Sequence, residues 1–307
     1  MKLQQLRYIC EVARQGLNLS VAAEKLFTSQ PGVSKQIRLL EDELGVEIFV
    51  RHGKRIVEIT PPGRDIIRVA ERMLRDATNL KNVAQEFTSE QTGSLTIATT
   101  HTQARYALPP VVNRFMARYP GVRLSLRQGS PMQIAEMASS GDADLAIATE
   151  AIELFSELVM LPCYEWNRCI VVPPQHPLLK VKPLTLEAIA RYPIITYDFA
   201  FTGRSKINQA FEARGINPTV ALTAIDADVI KTYVELGLGV GIVAYMAFNP
   251  DRDRQLRALD ASHLFESSTT HMGIRKNTYL RGYTYGFIEM FAPRLTHKVV
   301  DEAMARA

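Results

Sequence analysis

The first sixty residues constrain the fold most: three short amphipathic segments are separated there by residues that only tight helical turns need. Leu3, Leu6, Cys10 and Ala13 recur at helical spacing, and Gly16 ends that stretch. Asn18 is the expected N-cap of a second helix, which turns Val21, Ala22 and Leu26 inward. Ser29 caps a third helix, and Pro31 falls in its first turn, where a missing N–H costs nothing. Val33, Ile37, Leu40 and Leu44 line the inner face of this helix, and Gly45 stops it. Two short helices joined by a tight turn, the second strongly amphipathic, form the helix-turn-helix pattern.

The outer face of the third helix carries residue types that read base edges and hold phosphates: Gln30, Ser34, Lys35 and Arg38, with Ser29 and Pro31 at the helix start. Glu41, Asp42 and Glu43 follow, and a phosphate backbone would repel them, so the N-terminal half is expected to enter the groove. A plainer account has Lys35 and Arg38 pairing with Glu41 and Asp42 on a solvated face; the three-helix context outweighs it. Glu47 to Arg51 and Arg55 to Thr60 read as a hairpin around His52-Gly53-Lys54. Its basic tip, with Arg51, Lys54 and Arg55, is expected to act as a wing on phosphates or in the minor groove.

Thr60-Pro61-Pro62 opens a further helix that can run to Thr88, a length of roughly 40 Å. Ile66, Ala70, Met73, Ala77, Leu80, Ala84 and Phe87 follow an unbroken 4-3 spacing. That seam predicts a dimerising linker helix, which suits paired helix-turn-helix units reading paired half-sites.

Charge follows the same division. Residues 1–88 carry 14 Lys and Arg against 11 Asp and Glu; residues 89–307 carry 22 against 21. Most of the net +4 therefore sits at the helix-turn-helix end. Cys10, Cys163 and Cys169 are too scattered for a disulfide framework or a zinc site and read as buried free thiols. The six histidines form no metal-binding pair, and neither metal nor cofactor is expected. Residues 1–7 lack the apolar core of a secretory signal, and Val240 to Phe248 is too short to span a bilayer. The expectation is a cytoplasmic protein with no membrane partner.

Thr88 to Gly93 is polar and turn-rich, the expected boundary before an α/β region. Strands are expected at 95–98, 123–127, 145–148, 169–172, 194–196, 220–223, 240–243 and 270–274, in largely parallel sheets. Helices are expected at 109–119, 134–140, 186–191, 205–214 and 227–236. Its 219 residues allow two lobes, and a cleft between lobes suits a small ligand. Three strand ends share one chemistry: Thr99-Thr100-His101-Thr102-Gln103, Thr149, and the loop holding Thr202-Gly203-Arg204-Ser205. Ligands bind beyond the carboxyl ends of strands in open α/β sheets. Hydroxyls, an amide and helix N-terminal N–H groups suit a small oxyanion or small acidic molecule. Any one threonine is more readily an ordinary helix cap; the convergence of three strand ends favours the pocket. Gly237-Leu238-Gly239-Val240-Gly241 fails the dinucleotide pattern and is better explained by helix termination and close backbone packing.

These residues carry a resemblance. Ala22-Ala23, Leu26, Ser29-Gln30-Pro31, Ser34, Gln36-Ile37, Leu40-Glu41, Leu44-Gly45, Phe49 and Arg51 resemble the signature of LysR-type transcriptional regulators, with Gly32 where alanine is more usual. Segments 98–106, 128–131, 146–150, 202–205 and 226–233 resemble the CysB/Cbl group, which controls sulfur assimilation, so the likeness extends over nearly the whole chain. The resemblance implies α/β architecture overall: an all-α winged helix-turn-helix (1–60), a linker helix (61–88) and an effector-binding domain (89–307). That domain would hold two lobes of periplasmic-binding-protein type, lobe I about 89–163 and 268–307, lobe II about 164–267. It further implies an activator that works as a homotetramer, a dimer of dimers, on promoter DNA with RNA polymerase. The implied effector is sulfate, a related sulfur anion, or O- or N-acetylserine. Thr100, Thr102, Gln103, Thr149 and Thr202 would line its pocket. Regulation of sulfonate or sulfate-ester utilisation genes is the alternative within the branch. A solute-binding protein is the alternative from another class, opposed by the helix-turn-helix and the missing signal. An enzyme on a sulfur metabolite is a third, and no catalytic constellation supports it.

Overall fold

The computed structural model describes residues 1–53, 55–88 (side chains to 84), 92–149, 155–198 and 204–306. They form two compact units, Met1–Thr88 and Ser89–Ala307.

The first unit runs α1 (Leu3–Arg14), α2 (Leu19–Lys25), α3 (Gln30–Leu44), β1 (Phe49–His52), β2 (Arg55–Ile59) and α4 (Pro61–Thr88). Local chemistry sets the boundaries. Asn18 accepts from the Ser20 and Val21 amides to start α2, and Ser29 Oγ accepts from Gly32 N to start α3. Gly45 closes α3 with φ +69°, a left-handed geometry that disfavours other residues. Leu6, Ile9, Val12, Ala22, Val33, Ile37, Leu40 and Phe49 fill the core. The long helix α4 divides its seam. Ile67 and Ala70 are buried in this core, with Ile66 and Leu74 at its edge. Met73 is exposed, and Leu80 is 71% exposed. The seam expected as one dimer face is thus partly spent within its own unit, since the start of α4 packs on α1. The Phe87 side chain lies outside the described residues.

The second unit comprises β3 (Gly93–Thr99), α5 (Leu108–Arg118), β4 (Val122–Gln128), α6 (Pro131–Ser140), β5 (Leu145–Ala148), β6 (Leu158–Trp166) and β7 (Arg168–Val172). It continues through α7 (Leu186–Ile189), β8 (Ile194–Tyr197), α8 (Arg204–Glu212), β9 (Val220–Ala224), α9 (Ala227–Glu235) and β10 (Val240–Ala244). It ends with β11 (Arg257–Asp260), β12 (Ser268–Arg275), α10 (Gly282–Phe291) and α11 (His297–Arg306). There are two five-stranded sheets, ordered β4-β3-β5-β12-β6 and β11-β7-β10-β8-β9. The chain crosses between them at Asn167 and returns between Asp260 and Ser268.

Neither sheet is largely parallel, which corrects the expectation from sequence. β3 runs parallel to β4 and β5, and β8 to β9 and β10. The strands that carry the crossings oppose them: β12 is antiparallel to β5 and β6, and β7 to β10 and β11. Apolar layers cover both sheets. Phe115 and Phe287 pack over Ile97, Ile147 and Met272, while Ile134 and Ala138 cover Ala98 and Ala146. On the second sheet, Phe211 and Ile207 lie over Ile170 and Ile242, and Ile230 and Val234 over Val171 and Ile195. Each such side chain stabilises by about 1.5–3 kcal/mol when fully buried.

Gly241 has the packing role expected of it: a Cβ there would sit 2.5 Å from Val171 Cγ2. Cys10, Cys163 and Cys169 are free, and burial pushes each thiol up to about 12. Among the described residues no helix is long and apolar enough to cross a membrane.

Candidate functional site

Two surfaces carry the expected chemistry. On α3, Gln30, Pro31, Ser34, Lys35, Arg38 and Leu39 line a concave patch of about 450 Å³. Lys35 and Arg38 are exposed, and among the described residues neither has an ion-pair partner. Their expected acidic neighbour is committed elsewhere. Glu41 is 8% exposed; its Oε1 accepts from Ile48 N at 3.0 Å and Phe49 N at 3.1 Å. Its Oε2 binds Arg51 Nη2 at 3.0 Å, and Arg51 Nη1 reaches Ser34 Oγ at 3.4 Å. Arg51 therefore braces β1 against α3 instead of standing at an open hairpin tip. Arg55 is exposed, and Lys54 lies outside the described residues. A second groove of about 400 Å³ joins Arg55 and Gln30 to Asn18 and Ser20 at the start of α2. Ser20 was not singled out from sequence, because its role depends on the hairpin folding back beside α2.

In the second unit, Thr100, Thr102, Gln103 and Thr149 are all buried, between 2% and 6% exposed. Register explains their proximity. Thr99 pairs with Ile147, and its hydroxyl donates to Ile147 O at 3.0 Å, so the 100–103 turn and Thr149 leave the same sheet edge together. The Tyr197 hydroxyl accepts from Ala244 N at 3.3 Å and lies within electrostatic reach of Thr102, which brings the carboxyl end of β8 from the second sheet to the first sheet's turn. Burial raises the Tyr197 pKa, so this phenol stays neutral. Thr202 lies outside the described residues.

Aromatic side chains aim these groups. Trp166 Nε1 donates to Thr149 Oγ1 at 3.3 Å, which leaves the threonine hydroxyl to donate its own proton. The Tyr164 hydroxyl donates to Gln103 Oε1, and Gln103 Nε2 donates to Thr270 Oγ1 at 3.1 Å. The second amide hydrogen of Gln103 remains a donor. The site is thus a set of fixed neutral dipoles, a chemistry that holds an anion through charge-assisted hydrogen bonds. Tyr164 and Trp166 escaped the sequence reading because β6 was not expected, and Thr270, expected to open a strand, was not singled out because its bond to Gln103 spans 167 residues.

His101, Asp226 and Asp228 bring three possible metal-ligand atoms within 4.8 Å of one another. All three side chains already have protein partners. Asp226 caps α9 through Val229 N, and Asp228 holds His101, Arg105 and Lys231. Two permanent cations on one carboxylate oppose a third positive charge.

Known proteins match these features over the whole chain. Residues 3–64 match the family model for the bacterial regulatory helix-turn-helix protein, lysR family, and residues 88–296 match the LysR substrate binding domain. The chain is 58% identical over 307 residues to the transcriptional regulator SsuR of Burkholderia cenocepacia, covering 100% of both. It is 55% identical to CysB of the same organism, over 99% of this chain and 97% of that one. It is 48% identical to Cbl of Escherichia coli, over 94% and 92%. The solved cofactor-binding domain of the Cbl transcriptional regulator is similar at TM-score 0.68 and 42% identity, covering 70% of this chain and 95% of that one. Full-length CbnR, solved in complex with its target DNA, shares the fold at TM-score 0.58 and 20% identity, with 96% of this chain and 99% of that one covered. The α/β fold, the helix-turn-helix and the sequence relatives agree: the chain belongs to the LysR family of DNA-binding transcriptional regulators, a family of regulators and not of enzymes.

Proposed function

We propose that this regulator binds promoter DNA through α3 and the β1–β2 hairpin and responds to a small sulfur anion or an acetylserine held at the 100–103 turn. Ser29, Gln30, Pro31, Ser34, Lys35 and Arg38 form the groove-facing set, with Arg55 and Lys54 on phosphates and Arg51 bracing the hairpin. Thr100, Thr102, Gln103, Thr149 and Thr202 form the effector set, and the ligand is sulfate, thiosulfate or an acetylserine. The carrying observation is the set of buried hydroxyl and amide groups in which Tyr164 fixes Gln103 and Trp166 fixes Thr149. Identity of 55% to CysB and 48% to Cbl supports sulfur assimilation and cysteine biosynthesis as the regulon. The protein acts in the cytoplasm as an activator and a tetramer, with the exposed half of the α4 seam joining protomers, and it engages RNA polymerase.

A second reading, regulation of sulfonate or sulfate-ester utilisation genes, rests on the 58% identity to SsuR over the full chain. Calorimetric titration of the full chain with sulfate, thiosulfate, O-acetylserine, N-acetylserine and adenylyl sulfate tests the effector, and mobility-shift titration against candidate promoters ranks the two readings. Binding to promoters of cysteine-biosynthesis genes favours the first and binding to promoters of sulfonate-utilisation genes the second. Unchanged binding in Thr100→Ala and Thr102→Ala would place the site elsewhere.

A further inference from the structure

The turn that carries Thr102 and Gln103 continues as one π-helical turn, Gln103–Ala107, and this turn delivers a side chain into the opposite sheet's territory. The Tyr106 ring packs against the apolar cluster formed by α9 and the second sheet, although its own chain segment leaves the first sheet. Its hydroxyl donates to Asp228 Oδ1 at 2.7 Å and accepts from Lys231 Nζ at 3.0 Å. Lys231 is 6% exposed and is held further by Asp253 Oδ1 at 3.0 Å and the Ala247 carbonyl at 2.9 Å. Asp228 Oδ2 takes Arg105 Nε at 3.1 Å and His101 Nε2 at 3.2 Å, so three residues of the 100–106 segment converge on one carboxylate of α9.

This polar cluster joins two bodies. Asp228, Lys231 and Asp253 belong to the second sheet's layer, whereas His101, Arg105 and Tyr106 extend from β3. Parting the sheets would withdraw the phenol from a nearly buried ammonium and remove three of the donors on Asp228. Lys231 would keep Asp253 and the Ala247 carbonyl, but Asp228 would lose all three donors of the 100–106 segment together, so the joined arrangement is a distinct state and not one point on a continuum. Gln103 and Tyr106 are three residues apart in the same turn, so whatever fixes Gln103 also fixes Tyr106.

We infer that Tyr106 is the positioning residue of the effector response: by joining Asp228 and Lys231 to the 100–106 turn, it makes anion binding and sheet apposition favour each other. The inference rests on the effector site proposed above. Its reciprocity is thermodynamic: loss of the joint lowers the population of the binding-competent state and weakens the anion by the same factor.

The test is sulfate titration of the full-length chain with a double-variant cycle. Tyr106→Phe and Asp228→Asn are each expected to weaken sulfate roughly tenfold, and the double variant no more than the stronger single, because both break one unit. Thr102→Ala is expected to abolish binding. Wild-type affinity in Tyr106→Phe, with binding lost in Thr102→Ala, overturns the joint and leaves the site standing. Strictly additive losses also overturn it, since a merely structural role lowers the melting temperature without coupling the two affinities. Sulfate binding that survives Thr102→Ala, or no binding of sulfate by the wild type, overturns the site itself and the joint with it. Should Tyr106→Phe lack a cooperative thermal transition, Arg105→Gln takes its place. That guanidinium is 49% exposed, its loss opens no core, and an affinity change below about twofold would refute the Asp228-centred joint.

Discussion

The two ends of this chain meet negative charge by opposite means. On α3, Lys35 and Arg38 stand in solvent without ion-pair partners among the described residues, beside the exposed amide of Gln30. At the 100–103 turn and Thr149 the groups are uncharged and buried, with Gln103 bonded to Tyr164 and Thr149 to Trp166. Mobile surface cations suit a long polyanion, because each phosphate met releases counterions and the protein can slide in register. Fixed buried dipoles suit one small anion, because their geometry rejects other shapes and no counterion is needed. The near-zero charge balance of residues 89–307 fits this division, since the proposed effector site requires no excess cations.

Four outcomes sharpen or break the contrast, from the largest effect to the smallest. Lys35→Ala combined with Arg38→Ala should weaken promoter binding about a hundredfold in mobility-shift titrations, with each loss lowering the salt slope by about one. Sulfate affinity should stay unchanged in that variant. Gln103→Ala should weaken sulfate by roughly 10- to 100-fold in calorimetry, the loss of one charge-assisted bond together with the framework on Tyr164 and Thr270. Glu41→Ala should destabilise the first unit by about 3 kcal/mol in denaturant unfolding, because it strands the Ile48 and Phe49 amides and the Arg51 guanidinium. DNA affinity should fall with it, although a negative charge has been removed from near the DNA. If DNA binding tightened instead, Glu41 would be a repulsive surface acid and not a brace.

The smallest effect is a pH limb. Burial alone would raise the Asp228 carboxyl, but hydrogen bonds from Tyr106 and His101 and the charges of Lys231 and Arg105 outweigh it and hold the pKa below normal. A depressed folded value means stabilisation present above the ordinary carboxylate pKa and lost as pH falls through the folded one. The second unit should therefore lose stability below about pH 4, and Asp228→Asn should flatten that limb in a melting-temperature profile.

The parts of the fold legible in sequence are those set by neighbours in the chain. Asn18, Ser29 and Gly45 act on residues within four positions, and their caps stand where the spacing put them. β3, β5, β8 and β10 were legible because short apolar runs bounded by turn residues read as buried strands. β6 was not, because Pro162 interrupts it; the strand accommodates the proline at a register shift opposite Thr270 and His271. α10 escaped because its run of aromatics and glycines has no polar face to mark a helical period. The site follows the same rule. Thr100, Thr102, Gln103 and Thr149 could be named from strand ends, whereas their supports could not. Tyr164 lies 61 residues from Gln103, and Tyr106 is 122 residues from Asp228. Glu41 was legible as an acid near a helix end but not as the bond between α3 and the hairpin, which exists only once β1 has folded back.

The most direct test of the contrast is a paired salt titration on one preparation of the full chain, with potassium chloride varied from 50 to 200 mM. Promoter affinity should fall by orders of magnitude along a steep logarithmic line, while sulfate affinity should change by less than about threefold. Equal slopes for the two ligands, or a steeper one for sulfate, would show that the small anion is held by solvent-exposed cations and would contradict the account.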